Sequence, residues 1–229
     1  MNLGQMFAIF RAQTRDLVEP YLFGDDTVLA SYANEGAREA CRRGRLIVDS
    51  TTVNDGATSP LPVCQYAVTA GDSVLTLHPS ILFVKRVKLA SLDRRTPRIN
   101  ARDLDRFRPG WESESGDVLA YSPDHQTGQL RWYQKPIADD TANLTVVRLP
   151  LSDMVKLSDA PEINARFHDR LVDWMIYRAY EEDDSETIDP QRAAKALARF
   201  EQEFGHKSSA IDETYIQNEY DFGGLDGVF

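Results

Sequence analysis

The chain has 229 residues, of which 42% are apolar and 27% charged, an ordinary globular composition that excludes a disordered polymer or a collagen-like fibre. Lys and Arg number 26 against 36 Asp and Glu, a formal net charge of −10, which argues against a protein that binds nucleic acid over its whole surface. Cys41 and Cys64 make no disulfide framework and are expected as reduced, buried thiols. Residues 1–16 lack the basic segment of a signal peptide, and the longest apolar runs, such as 81–84, are too short to span a membrane. The expectation is a soluble protein that matures in a reducing cytoplasm and has no membrane partner.

Asn2 is a good helix N-cap, and Leu3, Met6, Phe7, Phe10 and Leu17 recur at helical spacing, predicting a first helix ended by Pro20. Asp25 or Asp26 then caps a second helix with Val28, Leu29, Tyr32, Ala33, Gly36 and Ala40 along one face. Gly36 would admit a close neighbour. Arg42, Arg43 and Arg45 gather at the C-terminal end, where the helix dipole favours cations, and Gly44 closes the helix.

From residue 46 to about 151 the period falls towards two. Strands are predicted at 63–68, 74–77, 81–89, 129–133 and 143–149, separated by the turn signals Asn54-Asp55-Gly56, Ala70-Gly71-Asp72 and Thr127-Gly128. Between them, 90–122 reads as loop with a short helix near 103–107. Helical signals return with Pro161 in a first turn and Ile163, Phe167, Leu171, Trp174 and Met175 on one stripe. Asp189-Pro190 starts a fourth helix that buries Ala193, Ala194, Leu197, Phe200 and Phe204 and stops at Gly205.

The fold class is therefore α+β. Residues 1–45 and 156–205 form a four-helix bundle from N- and C-terminal helical hairpins, 46–155 form an inserted antiparallel β domain, sandwich or barrel-like, and 206–229 form an extended tail. That tail carries five acidic residues against one lysine, yet keeps Tyr215, Ile216, Tyr220, Phe222, Leu225 and Phe229. Aromatics are scarce in purely disordered segments, so these six residues are expected to dock on a partner in preference to folding back on their own domain.

Signals for chemistry are few. His78, His125, His168 and His206 are far apart in sequence and belong to no metal-binding pair. There is no nucleophile elbow, P-loop or dinucleotide fingerprint, and Gly223-Gly224 with Gly227 lacks the context of a phosphate cradle. His168 with Asp169 or Asp173 is expected as solvated helix surface. The run 181–186 is expected as a solvated helix end, since it lacks the ordering of a calcium loop. Glu112, Glu114 and Asp117 near Trp111 are the carboxylates most suggestive of sugar chemistry, although a tryptophan after Pro109-Gly110 more often anchors a loop. No catalytic, cofactor-binding or metal-ligating residue is assigned.

The strongest charge asymmetry is basic: residues 85–108 hold nine Lys or Arg against three Asp. Lys85, Arg86, Lys88, Arg94, Arg95 and Arg98 are accordingly expected to serve inter-subunit or partner electrostatics, in contact with an acidic face of a neighbouring copy.

The segments Pro20-Tyr21-Leu22-Phe23, Leu29-Ala30-Ser31-Tyr32-Ala33-Asn34-Glu35-Gly36 and Glu39-Ala40-Cys41-Arg42-Arg43 resemble those of the head-to-tail adaptor, or connector, proteins of tailed bacteriophages, of the short-tailed type. The similarity continues in Arg148-Leu149-Pro150-Leu151, in 171–180 and from Asp189-Pro190 to Phe204, spanning most of residues 1–205. This resemblance implies a structural virion protein at the head–tail junction of the capsid vertex, assembled in the host cytoplasm. It implies a ring of twelve copies beneath the portal protein, a seat for downstream tail or nozzle proteins, and DNA passing through the lumen without sequence-specific binding. It also implies a C-terminal segment gripping the portal, and no catalytic residues. The alternatives are a carbohydrate-binding or polysaccharide-degrading tail component using the β domain beside Trp111 or Trp132, and a DNA-contacting factor using 85–108.

Overall fold

The computed structural model describes residues 1–54, 61–92, 94–123, 126–182, 188–207 and 209. In chain order the elements are α1 (Leu3–Thr14), α2 (Asp26–Gly44), β1 (Ile47–Asp49), β2 (Gln65–Val68), β3 (Val74–Thr76), β4 (Ile81–Leu89) and α3 (Ala101–Phe107). They continue with β5 (Ser115–Gly116), β6 (Ala120–Ser122), β7 (Gln129–Tyr133), β8 (Lys135–Pro136), β9 (Asp140–Arg148), α4 (His168–Glu181) and α5 (Pro190–Phe204). The class is α+β. Two compact units result, one from Met1–Ile47 with Leu149–Ser209, the other from Val48–Arg148.

In the helical unit, α1, α2, α4 and α5 bury one continuous apolar core that includes Phe10, Leu29, Leu171, Met175 and Phe200. Their starts follow local chemistry. The Asn2 and Gln5 side chains exchange bonds with each other's backbone in a capping box, Asp25 accepts from Thr27 and Val28, and Asp189 accepts from Gln191 and Arg192 ahead of Pro190. Gly36 lies against Trp174 of α4 so closely that a Cβ there would stand 3.0 Å from the indole ring. Trp174 also packs on Phe200, with centroids 4.8 Å apart, so one ring joins α2, α4 and α5.

Four helical details differ from the pattern read in the sequence. α1 stops at Thr14, well before Pro20, because Arg15 turns left-handed (φ 63°) and its N–H bonds the Arg11 carbonyl; Leu17 is left exposed. α2 runs through Gly44, and Arg45 supplies the left-handed residue (φ 50°). Pro161 starts no helix: it is buried in a connector, and a 3-10 turn at Ala165–Phe167, capped by Asn164, leads into α4. In α5 the buried face is Ala193, Ala196, Phe200 and Phe204; Ala194, a residue further round, is exposed.

His168 and Asp173, expected on a solvated surface, are both buried. The two ring nitrogens of His168 each lie 2.9 Å from a carbonyl oxygen, of Met1 and of Ile163, so the imidazole ties the chain start to the entry of α4. Asp173 faces Arg170 and Arg199, 3.5 and 3.7 Å away, while burial raises its carboxyl pKa.

In the β unit, β9 is the central strand, pairing antiparallel with β2 and β4 and also with β1. A second sheet has the order β3-β7-β6, and β5 pairs with β8 in parallel, an exception to the all-antiparallel expectation. The short β1, β5, β6 and β8 have too few residues to show a period in sequence. Trp111, Leu104, Ile99, Ala120 and Tyr133 form a buried cluster under the short α3.

The Asp49 carboxylate and the Arg148 guanidinium are both buried and 2.8 Å apart. Burial alone would raise the Asp49 pKa, but N–H donors from Thr51 and Thr52 and the Arg148 guanidinium outweigh it and hold the carboxyl well below the usual range. Cys64 sits beside this pair, and burial together with the Asp49 charge pushes its thiol up to about 11. Both cysteines are buried, as expected.

Two predictions follow from these packing relations. Asp49→Ala removes the carboxylate 2.8 Å from buried Arg148 and is expected to destabilise the protein by about 3–5 kcal/mol in urea denaturation. In the wild type the stabilising share of Asp49 is full above its unfolded pKa of about 3.9 and is lost as pH falls further towards the folded value. Asp49→Asn should flatten that acid slope; an unchanged slope would assign it elsewhere. Gly36→Val drives two methyl groups into the Trp174 ring and should lower stability by about 2–3 kcal/mol, read as a drop in Tm.

Candidate assembly surfaces

The basic residues singled out in the sequence lie on β4 and the segment after it. Register shifts occur between Ile81 and Phe83 and between Val84 and Arg86 opposite β9, so Lys85 is an extra residue and both it and Arg86 are exposed. Val87 and Leu89 point into the core, and Lys88 between them is half-buried. The chain then turns back: Leu92 N–H bonds the Leu89 carbonyl and Thr96 N–H bonds the Val87 carbonyl at 2.9 Å. An isolated antiparallel bridge pairs Val87 with Thr96, placing Arg95 and Lys88 on adjoining backbones. Arg94 and Arg95 are exposed and Arg98 is half-buried. Exposed Arg102 and Arg106 on α3, with Arg108 just beyond it, extend the series. A stretch of sequence thus becomes a folded cationic ribbon, not a flexible loop.

A second surface was not legible in the sequence. Leu17, Val18 and Leu22 are 67%, 78% and 51% exposed in the connection between α1 and α2. The connection is anchored at its two ends. Buried Asp16 accepts from Leu22 N–H at 2.8 Å and Phe23 N–H at 3.3 Å, and pairs with Arg11 at 3.0 Å. Arg11 reaches on to Asp26 and the Gly24 carbonyl, and its guanidinium covers the Tyr21 ring at 3.4 Å. Asp16 followed by Pro20-Tyr21 was the available signal, masked by a Leu17 that continues the helical spacing.

A third surface is the segment that leads to α4. Val155 and Leu157 are 80% and 54% exposed, yet the backbone on either side is tied down. Asn34 of α2 exchanges two bonds with Met154, Asp159 accepts from Val155 and Lys156, and the Leu157 carbonyl accepts from Gly4 N–H at 2.9 Å. Beneath lies a groove of about 440 Å³ whose walls include Ala30, Met154, Val155 and Leu157.

Of the residues considered for sugar chemistry, Trp111, Trp132, Glu112 and Glu114 have structural work, while Asp117 is exposed. Trp111 and Trp132 are 2% exposed each and offer no face to a ligand; the Trp111 indole donates to Asp105 at 2.9 Å. Glu112 pairs with Arg131 at 3.3 Å, and Glu114 accepts from Tyr133 and Gln134. Among the described residues no group of three His, Cys, Asp or Glu could hold a metal ion, and no helix is long and apolar enough to cross a membrane. Tyr215, Ile216, Tyr220, Phe222, Leu225 and Phe229 lie outside the described residues.

A sequence model of the family described as SU10 adaptor protein matches residues 1–219. The match covers both folded units and runs on past Tyr215 and Ile216. No curated protein matches the chain.

The network around Arg11 carries a prediction. Arg11→Met leaves Asp16 buried without its cation and should cost about 3 kcal/mol or more in denaturant unfolding. The same variant should be cut faster by chymotrypsin at Tyr21 or Leu22 under native conditions. Unchanged cleavage would mean that the loop is rigid for another reason.

Proposed function

The chain belongs to the SU10 adaptor protein family and is a structural adaptor of a bacteriophage virion, and from that premise we propose that it forms a ring below the portal protein at the head–tail junction. In this reading residues 207–229 dock on the portal through Tyr215, Ile216, Tyr220, Phe222, Leu225 and Phe229. The β domain offers the seat for downstream tail or nozzle proteins, and DNA passes through the lumen without sequence-specific contacts. The copy number is twelve, the ring is assembled in the host cytoplasm, and a four-helix bundle with an inserted β domain is the repeating subunit.

The observation that carries this reading is a family match over both units, in a chain whose Trp111 and Trp132 are buried and whose Glu112 and Glu114 are held by Arg131, Tyr133 and Gln134. A sugar-directed activity would need an aromatic face beside free carboxylates, and neither Trp111 nor Trp132 supplies one. The ribbon from Lys85 to Arg98 fits an acidic protein face, because the chain as a whole carries −10. Ordering a tail of this kind costs about 1–2 kcal/mol per residue in backbone entropy, so a single tail binds weakly. Several tails on one ring-shaped template bind strongly together.

Removal of the residues after Gly205 is expected to leave a folded protein with its thermal unfolding unchanged and no binding to the cognate portal. Size-exclusion chromatography with light scattering, on each protein alone and mixed, reads both properties. A truncated chain that still joins the portal would overturn the role given to the tail.

A further inference from the structure

Cations are treated differently in the two units. In the helical unit Arg11, Arg38, Arg43, Arg170, Arg178 and Arg199 each lie within salt-bridge distance of an aspartate or glutamate. In the β unit Lys85, Arg86, Arg94, Arg102, Arg106 and Arg108 are all exposed, and none pairs with a carboxylate of the described residues. Phe107, 53% exposed, stands between the last two of these arginines.

Like charges gathered on one surface repel each other, and an anion laid against them relieves that repulsion. The best-matched occupant combines carboxylates with aromatic rings, because guanidinium groups pair with the first and stack on the second. Duplex DNA offers charge alone, since its rings are stacked inside. Residues 207–229 offer both: Asp212, Glu213, Glu219, Asp221 and Asp226 stand against Lys207 and are interleaved with Tyr215, Tyr220 and Phe222. Reach is no obstacle. Fully extended, this segment spans about 75 Å, against a radius of gyration of about 17 Å for a folded chain of this length. Being covalently joined, it is present at a roughly millimolar effective concentration, which no separate polyanion matches at ordinary dilution.

We propose that the ribbon from Lys85 to Arg98, with the arginines of α3, seats the acidic side chains of residues 207–229 of the same chain. The tail is then gathered on the β unit before assembly, and its apolar residues are presented to the portal from there. Part of the ordering entropy is met in advance, which raises the affinity of each tail. The contact needs neither ring nor portal, and so it stands or falls apart from the reading above.

The test uses the full chain alone and follows the rate at which chymotrypsin cuts at Tyr215 and Tyr220, corrected for the protease's own response to salt. At about 0.01 M salt, where charges act over about 30 Å, cutting should be about tenfold slower than at about 1 M, where the range is about 3 Å. Arg86→Glu with Arg94→Glu should be cut fast at low salt, with thermal unfolding unchanged because both residues are exposed. Adding Glu213→Lys and Glu219→Lys should restore slow cutting. Wild-type protein cut at one rate in both salts overturns the seat without recourse to any variant, and leaves docking on the portal untouched. Protection that appears only as the protein is concentrated assigns the tail to a neighbouring copy and overturns the same-chain contact. A reversal that abolishes retention on immobilised duplex DNA while cutting stays slow gives the ribbon to nucleic acid and likewise overturns it.

Discussion

Trp174 rests on the bare backbone of Gly36, and this contact holds together two stretches of chain separated by the whole β unit. The ring also packs on Phe200 of α5, and the Arg43 guanidinium lies 5.5 Å from its centre while pairing with Glu39 and Glu201. Any side chain at residue 36 would move α2 away from α4 and open this cluster. The consequences reach the surface. The groove is walled by α2 on one side and by the approach to α4 on the other, so its shape is set by how closely these helices meet.

The exposed apolar loops show how a small number of buried polar groups can anchor segments that carry apolar side chains on the surface. Exposed leucine and valine on a flexible loop would collapse onto the nearest apolar area or fluctuate. Here Asp16 and Arg11, 7% and 8% exposed, anchor the ends of one connection, and Asn34, 8% exposed, holds Met154 at the other. These groups lose hydration on burial and recover it as hydrogen bonds and ion pairs.

Charge is distributed as unevenly as apolar surface. Residues 1–148 carry 18 basic and 18 acidic side chains, so the entire net charge of −10 comes from residues 149–229. The ribbon from Lys85 to Arg98 therefore lies in a neutral part of the chain, and the acidic part follows it in sequence. A field of this kind discriminates between orientations of approach more than it adds affinity.

Much of the fold was legible because its signals are local. Asn2, Asp25 and Asp189-Pro190 announce helix starts through bonds to backbone groups two or three residues away, and the limits of β4 and β7 follow from a period that needs only a few residues to appear. The close approach at Gly36 was readable because an absent side chain invites one neighbour in particular. The resemblance to phage adaptors was also carried by sequence alone, and the family match agrees with it. What failed to show were features decided by distant groups. The end of α1 depends on Asp16 reaching forward to Leu22 and Phe23, the burial of His168 depends on the Met1 carbonyl, and β1 pairs with a strand that begins more than ninety residues later. The exposed Leu17 and Val18 and the groove beside Val155 belong to this second class. Leu17 and Val155 are ordinary apolar residues in the sequence, and only the tertiary ties around them decide that they face outward, because whether an apolar side chain is buried depends on what the rest of the chain brings against it.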